Sequence, residues 1–228
     1  MAAREYSALK RKLLTIIEHM KRYIKETEYA AASLIELIWT DFDNLEKLDY
    51  KLIKLNAALA VTYQKFLDYE FHPAANYYHA QMSINHEGVA KPRAELLNKV
   101  SEVSESLKAK SASISALSGA LLQIAKQCIS LKYGKPKNAP DGDDIEGVLI
   151  KDIIFEGRNQ SIHYENPKEI SVNVVNLFAK LDTIRGDGNA WDPCSQNNFA
   201  FEVVKFLGWR TYSDFEVHLK SIRSKKGS

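Results

Sequence analysis

Cysteine is scarce in this chain. Of 228 residues, two are cysteines, Cys128 and Cys194. Two thiols cannot build a disulfide framework or a four-thiolate metal site, so they read as free thiols of a reducing compartment. Six prolines and ten glycines are too few for a collagen-like or low-complexity chain. Excess charge of one sign is missing too: 31 Lys and Arg face 29 Asp and Glu, a net +2. That balance excludes a polycation coating nucleic acid by bulk charge and leaves room for a local basic site. Long apolar runs are absent. Leu13-Leu14-Thr15-Ile16-Ile17 stops at Glu18, too short for a signal-peptide core. No stretch of about eighteen apolar residues escapes charge, so no membrane association is expected. The expected location is cytoplasmic.

Several chemical signatures are missing as well. There is no Walker loop, no Gly-x-Gly-x-x-Gly, no Gly-x-Ser-x-Gly and no His-Glu-x-x-His. His72, His79 and His86 recur every seven residues. Seven residues of helix rise about 10 Å, too far for one ion bound at about 2 Å. Neither a metal nor a cofactor is expected.

What is present is helical periodicity. Leu9, Leu13, Ile16, Met20, Tyr23, Thr27, Ala30, Leu34 and Leu37 step in threes and fours, one stripe of a long helix. A break is expected near Trp39-Thr40-Asp41, with Thr40 capping a new helix. Its stripe is Leu45, Leu48, Leu52, Leu55, Leu59, Thr62, Phe66 and Tyr69, closed by Pro73. Gly88 and Pro92 punctuate residues 72–92. A third stripe runs through Leu96, Val100, Val103, Leu107, Lys110, Ile114, Leu117, Leu121, Ile124, Cys128 and Leu131. Its 3.5-residue period favours left-handed packing, and the Ser and Ala residues between 101 and 120 allow close helix approach.

The later part is shorter-stepped. Residues 133–144 read as a loop. Asp143 with Glu146 predicts a capping box for a buried helix from Ile145 to about His163, apolar on nearly all sides before Glu156. Asn166, Pro167 and Glu169 predict a further helix start, and Gly186 its stop. Helices over about 196–207 and 214–223 follow, the last capped by Ser213 with Glu216. No strand pair or repeat is visible. The class is all-α, a multi-helix bundle with long antiparallel helices. The whole of 1–228 reads as one helical domain, with residues 1–90 a long helical hairpin and 92–222 the core.

One constellation carries chemistry. Residues 158–163 read Arg-Asn-Gln-Ser-Ile-His where the buried helix turns polar. Asn159 and His163 are four apart and share a face. Arg158 lies about 140° round from His163. A fixed cation, a polar positioner and a group titrating near neutrality are parts for cleaving a phosphodiester without a metal. Lys132, Lys135 and Lys137 are candidate phosphate contacts on the neighbouring loop.

Arg158-Asn159-Gln160-Ser161-Ile162-His163 resembles the Arg-polar-x(3–5)-His signature of HEPN domains. These are all-α bundles carrying the signature on a late helix. Many are metal-independent ribonucleases of toxin–antitoxin, abortive-infection and CRISPR systems, typically dimeric with two motifs meeting across the interface. The resemblance implies an endoribonuclease acting on RNA as a homodimer, a toxin or antiviral-defence component with a possible antitoxin or defence-system partner. It implies His163 as acid/base, Arg158 as phosphate-binding cation and Asn159 as the residue positioning them. It covers about residues 92–222 as a fold and the six motif residues as sequence. Tyr164 follows His163 directly, unlike members that continue His-x-Tyr, so control by modification of that tyrosine is not implied. The alternative reading is a non-catalytic helical RNA-binding or protein-interaction scaffold using the stripes at 96–131.

Overall fold

The structure is a computed structural model. It describes the backbone of residues 2–70, 75–186 and 191–222, and side chains at 18, 22–64, 93–186 and 191–222. Among the described residues the fold is all-α: α1 (Ala2–Glu70), α2 (Ala75–Tyr133), α3 (Ile150–His163), α4 (Val172–Arg185), α5 (Ala200–Phe206) and α6 (Tyr212–Ser221). Two short strands, β1 (Asp144–Ile145) and β2 (Val148–Leu149), form a small antiparallel hairpin.

The chain divides into two compact units, one of Met1–Thr40 with Ile114–Ser228 and one of Asp41–Ser113. Residues 1–40 of the expected hairpin segment therefore group with the C-terminal helices.

In the first unit α1 buries Ile24, Ala31, Ile35 and Ile38. This face lies one residue round from the expected stripe, and Leu37 and Ala30 of that stripe are exposed. The apolar arc of this segment is wide, and its three isoleucines take the inside. From α2 come Ile114, Leu121, Leu122, Ala125, Cys128 and Ile129. Cys128 is buried and Cys194 exposed, and the two are not joined in a disulfide. The stretch Arg93–Tyr133 is long and apolar enough to cross a bilayer by length and composition. Its residues from Ile114 onward bury as a core helix does.

Around these, α3 buries Ile150, Ile153, Ile154 and Phe155, and α4 buries Val174, Leu177, Phe178 and Leu181. Trp209 is fully enclosed, edge-on to Phe215 at 4.8 Å. Its carbonyl accepts from Trp39 Nε1 at 2.7 Å, and its own Nε1 donates to His218 Nδ1 at 3.0 Å. Gly157 lets α5 close on α3: a Cβ there would meet Val203 Cγ1 at 2.9 Å.

The second unit is an antiparallel helix pair. Lys110 on α2 meets Asp41 on α1 at 2.7 Å, and the Arg93 guanidinium lies 5.6 Å from the Tyr63 ring centre. The expected stripes are its seam. Leu45, Leu48, Leu52, Leu55, Leu59 and Thr62 are half-buried against Leu96, Val100, Leu107 and Lys110, with Val103 buried.

Several expected boundaries move. No break falls at Thr40; α1 runs through it, because the residues on both sides keep a helical period and nothing there breaks a helix. Helix α2 likewise runs through Gly88 and Pro92. Asp143 and Glu146 do not cap a helix. Glu146 (φ 52°) and Gly147 (φ 84°) form the two-residue turn of the β hairpin, and α3 begins at Ile150. Asn166 caps a 3-10 turn, Pro167–Glu169, and Ser171 caps α4 by accepting from the Val174 N–H. Gly186 ends α4 in the left-handed conformation, as expected. The α6 box is Thr211 with Asp214, not Ser213 with Glu216. Residues 223–228 and the side chains of Phe66, Tyr69, His72, His79 and His86 lie outside the described residues.

Candidate active site

Helix α3 carries its buried face against α4 and α5 and turns partly polar from Glu156 on. Gln160, fully buried, fastens the chain ahead of α5. Its Nε2 donates to the Asn197 carbonyl at 2.6 Å, and its Oε1 accepts from the Phe199 N–H at 3.0 Å. The next polar side chains on α3 are thus held on a helix that cannot rotate without breaking these bonds.

Arg158 is half-buried and oriented toward α2. Its Nε donates to Gln123 Oε1 at 2.5 Å, and its Nη1 reaches Asn159 Oδ1 at 3.5 Å. Lys126, one turn beyond Gln123 on α2, has its amine pKa lowered by burial and then by the Arg158 charge. The Lys126 amine thus feels the Arg158 charge, and a positive neighbourhood of this kind suits an anion. Asn159 Nδ2 donates to Glu156 Oε2 at 3.1 Å. Burial pushes the Glu156 carboxyl pKa up, its hydrogen bond from Asn159 opposes this, and nearby Asp152 adds to it.

His163 stands at the C-terminal end of α3. Its Nδ1 lies 2.8 Å from Glu169 Oε2, and Glu169 Oε1 accepts from Asn166 Nδ2 at 2.8 Å. The hydrogen bonds from His163 and Asn166 hold Glu169 below the usual carboxylate range. A carboxylate at Nδ1 selects the tautomer with its proton there and leaves Nε2 as the accepting nitrogen. That is the base-and-orienter arrangement of acid–base catalysis. Among the described residues no hydrogen bond joins His163 to Arg158 or Asn159. Arg158 and Asn159 are brought together; His163 belongs to a second cluster with Asn166 and Glu169.

Below Glu156 lies an open groove of about 850 Å³. Lys135, Pro136 and Lys137, the β hairpin at Gly147–Leu149, Asp152 and Glu156 of α3, and Asn173, Asn176 and Lys180 of α4 line it. Lys151 anchors one wall. Its buried amine donates to the Ala139 carbonyl at 3.0 Å and to Asp141 at 2.6 Å, which pins the 135–141 loop to α3. Of the three candidate phosphate contacts, Lys135 and Lys137 line the groove. Lys132 does not; its amine lies 4.7 Å from the Tyr133 ring centre. Among the described residues no group of three or more His, Cys, Asp or Glu gathers as metal ligands do.

No protein-family model matches the chain, and no curated protein or solved structure matches it either. The site stands on its own geometry. Sequence reasoning missed five of its members. Glu169 was legible as a cap but not as a partner of His163, although six residues past a histidine across a turn is a readable distance. Gln123 and Lys126 come from α2, and no local pattern announces a pairing across thirty-odd residues. Asp152 and Glu156 are four apart on α3, a spacing visible in the sequence whose meaning depends on the groove.

Proposed function

We propose that this protein is a metal-independent endoribonuclease of HEPN type, working as a homodimer in the cytoplasm as a toxin or antiviral-defence component. The observation that carries the reading is His163, held by Glu169 of the following 3-10 turn, at the end of the helix that also carries the Arg158–Asn159 pair. His163 Nε2 removes the proton from a ribose 2′-hydroxyl, and the oxygen attacks the adjacent phosphorus. The new O–P bond closes a 2′,3′-cyclic phosphate while the bond to the 5′-oxygen breaks, and an acid protonates that leaving oxygen. Arg158 holds the non-bridging oxygens as charge builds, and Asn159 orients it. One chain supplies one motif histidine where the reaction uses a base and an acid. A second copy supplying the other is the physical reason for a dimer.

The test is the product. Purified protein in excess chelator should cut single-stranded RNA to fragments ending in cyclic phosphate and leave a strand with 2′-deoxyribose at the cut position intact. Cleavage of the deoxy strand would remove the 2′-hydroxyl from the mechanism.

A second reading, a non-catalytic helical scaffold, draws on the second unit. Tyr50, Ile53 and Val61 are more than half exposed and share one face of α1. It gains if replacing Arg158 and His163 changes stability alone.

A further inference from the structure

The groove beside Glu156 has a split chemistry. The amines of its outer cations, Lys135, Lys137 and Lys180, are exposed and make no hydrogen bond or close ion pair among the described residues, although the Lys180 charge acts on Asp152. Lys151 is already committed to Asp141. Its inner carboxylates, Asp152 and Glu156, are half-buried one helical turn apart. Asp152 makes no side-chain hydrogen bond among the described residues, and Glu156 uses one oxygen, toward Asn159. Burial raises the pKa of both, against the charges of Lys151 and Lys180 at Asp152 and the Asn159 hydrogen bond at Glu156. Pro136, Val148, Leu149 and Leu177 give the walls an apolar part. The volume falls in the range of ligand pockets and exceeds what a single phosphate needs.

Each part asks for a different piece of one ligand. Exposed lysines with no anion in close contact call for phosphate oxygens. Half-buried carboxylates that lack a donor call for N–H groups, and the apolar wall accepts a flat ring between them. We propose that this groove is a base-reading subsite for the RNA strand. It takes a nucleotide whose base carries an exocyclic amine, guanine, adenine or cytosine, against Asp152 and Glu156, with the flanking phosphates at Lys135, Lys137 and Lys180. Uracil is disfavoured there because it has no exocyclic amine and carries carbonyl oxygens at both positions 2 and 4. The Glu156–Asn159 bond ties the subsite to the helix turn that holds Arg158. The inference rests on the proposed ribonuclease reading for its ligand, RNA, and not on cleavage.

The experiment uses the full-length chain carrying His163→Ala, so that no probe is cut. Fluorescence anisotropy follows labelled octamers of cytidylate, adenylate and uridylate over a salt series. The cytidylate and adenylate octamers should bind about tenfold more tightly than the uridylate one. Asp152→Asn with Glu156→Gln should erase that preference. Lys135→Ala with Lys137→Ala should weaken all three octamers alike and lower the salt slope by about two. Equal binding of the three octamers, a preference that survives loss of both carboxylates, or an unchanged salt slope overturns the subsite. Cytidine 5′-monophosphate binding as tightly as the octamer overturns the strand assignment. RNA cut by a protein that does not discriminate bases sinks the groove and spares the ribonuclease; discrimination without cutting by the wild type does the reverse.

Discussion

The two compact units are built from the same two helices and bury them differently. In the first, α1 and α2 are packed by α3 to α6, and Trp209, Phe178, Phe215, Leu121 and Leu122 are wholly enclosed. In the second, the same helices have each other as partners. Their seam leucines stay half-buried, and Val103 is the buried apolar side chain among those described. A periodic stripe records that a helix has an inside; the number of neighbours decides how much water the inside excludes. The candidate chemistry sits in the unit with the enclosed core, where a side chain can be held in place by several elements.

The contrast can be broken by denaturation. Trp39, Trp191 and Trp209 all belong to the first unit, so tryptophan fluorescence reports that unit while far-ultraviolet circular dichroism reports both. Trp209→Ala should cost the first unit about 3–5 kcal/mol. Val103→Ala should cost the second about 1–2 kcal/mol and leave the fluorescence midpoint in place. If Val103→Ala moves both probes equally, the units are not separate in energy.

Gly157→Ala comes next. Alanine favours a helix over glycine by about 1 kcal/mol, and a methyl at 2.9 Å from Val203 costs about 1–3 kcal/mol. The overpacking wins, with a net loss of about 1 kcal/mol measured by urea titration. In a Val203→Ala background the same change should stabilise.

Glu202, on α5, sharpens the cost of enclosure. It is half-buried, its Oε2 has no hydrogen-bond partner among the described residues, and burial raises its pKa against the opposing charges of Lys205 and Arg185. The folded state then holds the proton to higher pH than the unfolded chain, so stability falls as pH rises from the ordinary glutamate range toward the raised value. Glu202→Gln should raise the melting temperature at pH 7.5 by the equivalent of about 1 kcal/mol, and the gain should vanish near pH 3.5. A gain equal at both pH values would rule out the charge as its cause. The smallest effect is expected in the helix pair. Lys110→Ala should cost under about 1 kcal/mol, less at high salt, because the Asp41 pair is partly exposed.

Much of this architecture was legible. The stripes Leu45 to Thr62 and Leu96 to Lys110 are readable from their spacing in threes and fours, though their pairing with each other is not, and Gly186 stops α4 where expected. What was misread has a common cause. Thr40, Gly88 and Pro92 looked like punctuation, yet a long helix absorbs single weak positions when both flanks keep its period. Glu146-Gly147 carried a turn signal that the apolar run after it concealed. At the site, Arg158, Asn159 and His163 were visible as a motif, whereas their partners were not. Gln123 and Lys126 reach Arg158 through tertiary packing, and the 3-10 turn that brings Glu169 to His163 depends on Pro167 after an Asn166 cap.

The central claim is that His163, held by Glu169, moves the proton in RNA cleavage. Cleavage of single-stranded RNA in excess chelator by wild-type and His163→Ala protein, with their helical spectra compared, tests it most directly. The account predicts cleavage by the wild type and its loss in the variant, with the two spectra superimposable. Cleavage that persists in a well-folded His163→Ala protein contradicts it.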